Sequence, residues 1–240
     1  MAATHRNARA SDPELAHSPE LADPDLAPTP VDAVVFDLGN VLIRWDPLPA
    51  IAAAVGEEQA RRFLDRDRQG SDFDFYAWNH RQDEGRPWEE AEEAAVRAHP
   101  GWETAIRAYR QNFGASLLGA IDDTVRILRE LHEAEVPLFA LTNWSEGLFP
   151  VALDRFEFLD LFDDIVVSGE EGVAKPDPRI WTVLERRVRH AGGLEDCVFI
   201  DDSPANVQSA AEAGLDAILF TDTGHLREDL RVRGLPLIAT

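Results

Sequence analysis

Cysteine, methionine and lysine each occur once in the 240 residues, and tyrosine only twice. One cysteine excludes an internal disulfide framework and a Cys-cluster zinc site. That residue, Cys197, opens an apolar run and reads as a buried packing residue rather than a nucleophile. None of the seven histidines (His5, His17, His80, His99, His132, His190, His225) pairs with another at ligand spacing, so no zinc site is expected. No apolar run approaches 18 residues, so no membrane span is expected. The N-terminus has no basic segment followed by an apolar stretch; no secretory signal is expected, and a soluble cytoplasmic protein is the default. Positive charge is scarce as well: 23 basic against 45 acidic side chains give a net charge of −22. Polyanions are held chiefly by Lys and Arg, so neither nucleic acid nor an anionic membrane is an expected partner.

What is present suffices for a folded core. Apolar residues make up 45% of the chain, and its length suits one large domain or a domain with a modest insertion. Residues 1–30 hold five of the 15 prolines, no aromatic residue and a loose repeat (Pro13-Glu14-Leu15-Ala16, Pro19-Glu20-Leu21-Ala22, Pro24-Asp25-Leu26-Ala27), the composition of a disordered tail. Short apolar runs then recur: Ala33–Phe36, Leu138–Leu141, Ile165–Val167, Val198–Ile200 and Ala217–Phe220. Continuous β-rich runs without alternation suit strands buried on both faces of a parallel sheet. Helical patterns lie between them at Ile121–Glu135, Pro178–His190, Pro204–Ala213 and His225–Arg233. This alternation predicts an α/β fold with a doubly wound, Rossmann-like parallel sheet.

Residues 46–115 interrupt that alternation. They contain no convincing strand but helical candidates at Leu48–Val55, Glu57–Arg68, Asp72–Arg81, Trp88–Ala98 and Trp102–Phe113. Such a stretch exceeds an ordinary connection and predicts an inserted α-helical domain above the carboxyl edge of the sheet. The expected division is therefore a tail over 1–30, a core over 31–45 and 116–240, and the insertion over 46–115.

The chemistry-bearing residues fall at the same edge. Asp37 follows the first run, Thr142 the second and Asp201-Asp202 the fourth; Lys175, the one lysine, lies in the loop after the third. Taken singly, each has a plain structural reading: Asp37-Leu38-Gly39-Asn40 as a turn, Asp202-Ser203-Pro204 as a helix start, Lys175 as an exposed loop charge. Together on one rim, three carboxylates would repel one another unless a cation joined them. Mg²⁺ takes one or two carboxylates and leaves positions for water and a substrate phosphate, and a lysine beside them pairs with carboxylate and phosphate alike. Thr142 and the Asn143 backbone N–H are candidate phosphate donors.

Phe36-Asp37-Leu38-Gly39-Asn40-Val41-Leu42, Leu141-Thr142-Asn143-Trp144, Ala174-Lys175-Pro176-Asp177-Pro178 and Phe199-Ile200-Asp201-Asp202-Ser203-Pro204-Ala205-Asn206 together resemble the four motifs of haloacid dehalogenase-like hydrolases. The resemblance covers residues 32 to about 235. The insertion resembles the small α-helical cap of that family, and Asp-Leu-Gly-Asn-Val resembles a phosphatase branch that includes sugar-phosphate enzymes. The resemblance implies Asp37 as a nucleophile forming an aspartyl-phosphate, the Gly39 carbonyl and Asp202 as Mg²⁺ ligands with Asp201 beside them, Thr142 on the phosphate, Lys175 orienting Asp37, and Asn206 in support. The expected substrate is a small phosphorylated metabolite, handled by a monomer or homodimer.

Many relatives carry an aspartate two residues after the nucleophile as general acid and base; here that position is Gly39. A substitute donor from the cap or substrate, or a preference for good leaving groups, is the expected consequence. Trp45 and Asp46 are expected to border the mouth, and Asn40, Arg44 and Trp45 to join Asn143 in meeting the anion or substrate. Helical spacing assigns most cap aromatics, Trp88 and Trp102 included, to packing; for Asn79 and Arg81 a place facing the substrate is weighed but not favoured. Two alternatives stand beside the phosphatase: a 2-haloacid dehalogenase using the same aspartate without metal, disfavoured because Asp201-Asp202 would repel a haloacid carboxylate, and a catalytically silent binding protein. A phosphomutase is disfavoured by the missing acid at residue 39.

Overall fold

A computed structural model describes residues 30–65, 67 and 72–238. Nearly all of the expected N-terminal tail, and the far end of the helix expected over Glu57–Arg68, lie outside the described residues. In chain order the elements are β1 (Ala33–Phe36), β2 (Ile43–Trp45), α1 (Leu48–Val55), α2 (Glu57–Phe63), α3 (Phe75–Asp83), α4 (Trp88–Ala98), α5 (Glu103–Gln111), β3 (Leu117–Ala120), α6 (Asp122–Glu133), β4 (Leu138–Thr142), α7 (Phe149–Leu153), β5 (Asp164–Val167), α8 (Ser168–Glu171), α9 (Arg179–Val188), β6 (Cys197–Asp201), α10 (Pro204–Glu212), β7 (Asp216–Leu219) and α11 (Thr223–Val232).

The five core strands form one parallel sheet in the order β5-β4-β1-β6-β7. Every residue of β1, β4 and β6 is buried, as unbroken apolar runs require when helices cover both faces of a sheet. One face packs Phe36, Val34, Leu138, Ala140, Val198 and Ile200 toward α6 and the insertion. The other packs Val35, Phe139, Leu141 and Phe199 against Ile180, Trp181 and Leu184 of α9. On α6 the buried residues Thr124, Val125, Ile127, Leu128 and Leu131 form one stripe, the periodicity that makes the segment helical and seats it on the sheet. With β1 central, β4 and β6 flank it on opposite sides, so the loops leaving these three strands meet at the carboxyl edge, where open α/β sheets bind ligands.

The segment from α1 to α5 is helical, with one departure from expectation at its margins. β2 and β3 form an antiparallel pair joining Ile43 to Ala120 and Arg44 to Gly119, with a register shift before Trp45 meets Leu117. Three- and four-residue strands carry too little period-2 pattern to be read from sequence. They tie the entry and exit of the insertion together by main-chain hydrogen bonds. Aromatic contacts fill its interior: Phe63 stacks on Phe73 at 5.1 Å and lies 5.4 Å from Trp102, and Phe75 meets Tyr109 at 4.9 Å. Trp88 is buried and Trp102 half-buried in the same cluster, where helical spacing placed them.

The end of α3 presses against the core. The Ser168 hydroxyl donates to the Asp83 carbonyl at 2.6 Å and accepts from the Trp144 N–H at 3.0 Å; the Trp88 indole donates to Ser145 Oγ at 3.0 Å. Gly85 permits this approach, and Gly169 the close packing of the core loop beneath it. A Cβ on Gly85 (φ +93°) would lie 3.0 Å from the Gly169 carbonyl oxygen, and one on Gly169 would lie 2.5 Å from Glu146 N. Cys197 is buried at the start of β6, and burial pushes its thiol up to about 12, so it is an unreactive packing residue.

Candidate active site

The carboxyl edge brings Asp37, Thr142, Lys175, Asp201 and Asp202 together. The Asp37 N–H donates to the Ile200 carbonyl at 2.8 Å, which fixes the first aspartate beside β6. Lys175, only 1% exposed, spends its three protons on Asp37 Oδ1 (2.9 Å), Asp201 Oδ2 (2.7 Å) and the Leu141 carbonyl (2.7 Å). Its ammonium lies 5.2 Å from the centre of the Phe199 ring, within range of the ring's negative face. The reading of Lys175 as an exposed loop charge therefore does not hold. Asn143 sets the lysine's backbone: its side-chain amide donates to the Lys175 carbonyl at 2.8 Å and accepts from the Lys175 N–H at 2.9 Å. This is a positioning task beyond the phosphate contact expected of Asn143.

Electrostatics follow from one cation among three acids. Burial alone would lower the Lys175 pKa, but the Asp201 and Asp37 charges outweigh it and hold the ammonium above its usual value. Asp37 is raised to about 7, first by burial and then by Asp201 and Asp202, against the downward pull of Lys175. Asp202 is raised too, by partial burial and by Asp201.

One oxygen from each of Asp37, Asp201 and Asp202 lies within 4.8 Å of the others, a set of hard donors with more negative charge than Lys175 balances. That chemistry fits a small divalent cation such as Mg²⁺. The donors are unequally available. Asp201 already accepts from Lys175 on Oδ2, from the Ser203 N–H on Oδ1 and from Asn206 Nδ2 on both oxygens, which uses its roughly four lone-pair positions. Asp37 and Asp202 are left to face a cation. Asn206 is thus a support for Asp201, and Asn40 a support for Asp202: its side-chain amide donates to the Asp202 carboxylate while Oδ1 accepts from the Trp45 N–H at 3.1 Å. Asn40 holds a left-handed conformation (φ 55°), which asparagine tolerates better than most residues.

Above the acids lies a cavity of about 250 Å³ whose floor is Asp37, Gly39, Asn40, Thr142, Lys175 and Asp202. Its roof comes from the insertion and its neck, chiefly Trp45, Tyr76, Asn79, Asp83, Tyr109 and Phe113, with Trp144 and Leu148 closing one side. The Trp45 indole donates to the Tyr109 hydroxyl at 3.3 Å. Burial first, then the Asp83 charge, keeps the Tyr109 phenol well above its ordinary pKa.

Several expected contacts are placed elsewhere. Arg44 projects from β2 into solvent and donates to the Ala120 carbonyl at 2.5 Å, outside the cavity lining. Asp46 turns back on the chain entering α1, accepting from the Leu48 N–H at 2.8 Å, instead of bordering the mouth. Arg81 is exposed and away from the cavity, but Asn79 lines it, the place weighed for it and not favoured. Sequence reasoning missed Asp83, Tyr109, Phe113, Ser145 and Leu148 altogether. The one signal for Asp83 was an acid just past the helix expected over Asp72–Arg81, in a segment otherwise read as packing.

A family model described as haloacid dehalogenase-like hydrolase matches residues 31–214. Among characterised proteins, the chain is 25% identical over 211 residues to drimenol cyclase of Aspergillus calidoustus, covering 83% of this chain and 36% of the cyclase. It is 24% identical over 207 residues to a sesquiterpene phosphatase of Aspergillus oryzae, covering 81% and 92%. The chain thus spans about a third of the cyclase and nearly all of the phosphatase. A crystal structure of a HAD-family enzyme from Bacteroides thetaiotaomicron, in complex with magnesium and inorganic phosphate, superposes with a TM-score of 0.60 at 21% identity over 82% of this chain and 98% of that one; at this identity the likeness is one of fold.

Proposed function

The chain belongs to the haloacid dehalogenase-like hydrolases, and from that premise we propose that it is a Mg²⁺-dependent phosphatase of small phosphorylated metabolites that works through an aspartyl-phosphate on Asp37. The observation that carries this reading is the Lys175 ammonium bridging Asp37 Oδ1 and Asp201 Oδ2, with Asp202 in the same nest of acids. Lys175 holds one oxygen of Asp37 and leaves the other free to attack phosphorus. Thr142, buried at the end of β4 and lining the cavity, offers its hydroxyl to a phosphoryl oxygen. Asp37 and Asp202, with the Gly39 carbonyl, are the residues that would hold Mg²⁺, which supplies charge neutralisation for Asp37 and the phosphoryl group. Little covalent work remains for the protein beyond placing these groups, as phosphoryl transfer requires.

The roof supports a small substrate. A cavity of about 250 Å³ falls below the roughly 300–1,000 Å³ usual for drug-sized ligands, and its walls are largely aromatic. No helix among the described residues is long and apolar enough to cross a membrane.

Incubating the protein with p-nitrophenyl phosphate and with 2-chloropropionate, each with Mg²⁺ and with EDTA, alongside Asp37→Asn, tests the reading. Phosphate release abolished both by EDTA and by the substitution is the expected result. Metal-independent halide release would transfer the assignment to a dehalogenase, and silence toward broad panels of both substrate classes would remove it.

A further inference from the structure

The floor of the cavity contains nothing that can hand a proton to a leaving group. Gly39 has no side chain, the protons of Lys175 are spent on Asp37, Asp201 and Leu141, Asp37 is the attacking group, and in the reading above Asp202 holds the cation while the Thr142 hydroxyl serves a phosphoryl oxygen. The roof does contain an acid: Asp83, the last residue of α3, lines the same cavity and is 9% exposed.

Its carboxyl is held on two sides. Asn79 Nδ2 donates to Asp83 Oδ2 at 3.0 Å from one turn back on α3, and the backbone N–H of Ser145, three residues beyond Thr142, donates to the carboxyl from the core. The Asp83 carbonyl takes the Ser168 hydroxyl, so its backbone is pinned to the core as well. This insertion residue is therefore registered against the loop that follows the phosphate-binding strand.

We propose that Asp83 is the proton donor to the leaving group, doing from the roof what no side chain at position 39 can do; the proposal rests on the phosphatase reading above. In the first half-reaction an Asp37 oxygen bonds to phosphorus, the bond from phosphorus to the ester oxygen breaks with its electron pair on that oxygen, and the Asp83 carboxyl proton passes to it, releasing an alcohol and leaving Asp83 ionised. In the second, a water oxygen bonds to phosphorus and a water proton goes to Asp83. The Asp37–phosphorus bond breaks, and inorganic phosphate leaves.

The environment suits a group that starts protonated. Burial first, and then the neighbouring Glu84, raise the Asp83 pKa well above its ordinary value, against the Ser145 N–H and the Asn79 amide, which both donate to the carboxyl. Its place at a helix C-terminus further disfavours negative charge. His80 on α3 and Tyr109 on α5 share the cavity; α8, packed against α3, carries Glu170 and Glu171, the latter paired with Arg187 at 2.7 Å. Among the described residues, no cation enters the balance at Asp83.

Asp83→Asn keeps the shape and removes the proton. First-turnover release is measured by rapid quench for p-nitrophenyl phosphate, whose leaving group is stable as an anion near neutral pH, and for 2-phenylethyl phosphate, whose leaving group needs a proton. The expected result is a fall of about 10²–10⁴-fold for the alkyl ester with the nitrophenolate burst retained. Equal loss on both esters, or loss on neither, overturns the role of Asp83. A wild-type protein that turns over neither ester, or an Asp37→Asn protein that remains active, instead overturns the phosphatase reading beneath it. A second measurement needs no variant: wild-type first-turnover release of the alkyl ester falls as pH rises through the Asp83 titration, and nitrophenolate release lacks that limb. Identical pH profiles for the two esters would overturn the proposal.

Discussion

The floor and the roof of the cavity are built on opposite plans. The floor is charged, carried by residues at or just past the ends of β1, β4 and β6 and by Lys175 in the loop after α8, and nearly saturated with hydrogen bonds: Lys175 makes three and Asp201 accepts four. The roof is aromatic, carried by helices, and held by few polar contacts, among them Trp45 to Tyr109 and Asn79 to Asp83. The difference assigns labour. A saturated charged floor can change little without losing the reaction, whereas an aromatic roof can change shape and chemistry while the floor goes on transferring phosphoryl groups.

That division can be broken most decisively at the floor. Lys175→Met leaves Asp37 and Asp201 buried without their cation. Turnover of p-nitrophenyl phosphate is expected to fall below detection, and urea titration to show a loss of about 3–5 kcal/mol. A stable, active Lys175→Met protein would contradict the floor's account. The seam between the two regions is the next target. Gly85→Ala puts a methyl 3.0 Å from the Gly169 carbonyl at a φ of +93°, with an expected cost of about 1–3 kcal/mol in the same titration, and a neutral result would show that the seam is slack.

Asp83 separates the regions by pH. Unfolded, it titrates near 4; folded, it titrates higher, so above about pH 4 the folded state keeps a proton that the unfolded state has lost. Its contribution to stability is complete below that pH and declines as pH rises toward the folded value, by at most about 1.4 kcal/mol per unit. Asp83→Asn lacks this decline, so its Tm relative to the wild type, measured without metal, is expected to climb as pH rises above about 4 toward the folded-state titration of Asp83. Asp37, also raised, is common to both proteins and cancels. A flat difference would show that Asp83 is not held protonated. The smallest effect belongs to Tyr109→Phe, which removes the acceptor of the Trp45 indole. About 1 kcal/mol of stability and a raised KM with unchanged kcat are expected; a fall in kcat alone would move Tyr109 out of the roof's substrate-shaping role.

The floor was legible in the sequence and the roof was not, for a physical reason. Strand ends put consecutive residues such as Asp37-Leu38-Gly39-Asn40 and Asp201-Asp202 into one small volume, so local strings carry the chemistry. The one lysine in an arginine-rich chain marked its own importance. The sheet was equally legible, because strands buried on both faces must be continuously apolar. Roof residues Tyr76, Asn79, Asp83 and Tyr109 come from two helices at spacings that packing residues share, and nothing in the string separates a cavity wall from a core face. Arg44 misled because charge suggests an anion, whereas the register of β2 against β3 turns it to solvent. The β2–β3 pair was missed because strands of three and four residues show no period.

Acid quenching of the Mg²⁺-loaded protein during turnover of p-nitrophenyl phosphate, followed by peptide mass spectrometry, addresses the central claim most directly. The account predicts one phosphoryl group on the peptide containing Asp37, absent from Asp37→Asn. Steady turnover with no phosphoryl group trapped on that peptide, or with one trapped on a different side chain, would contradict it.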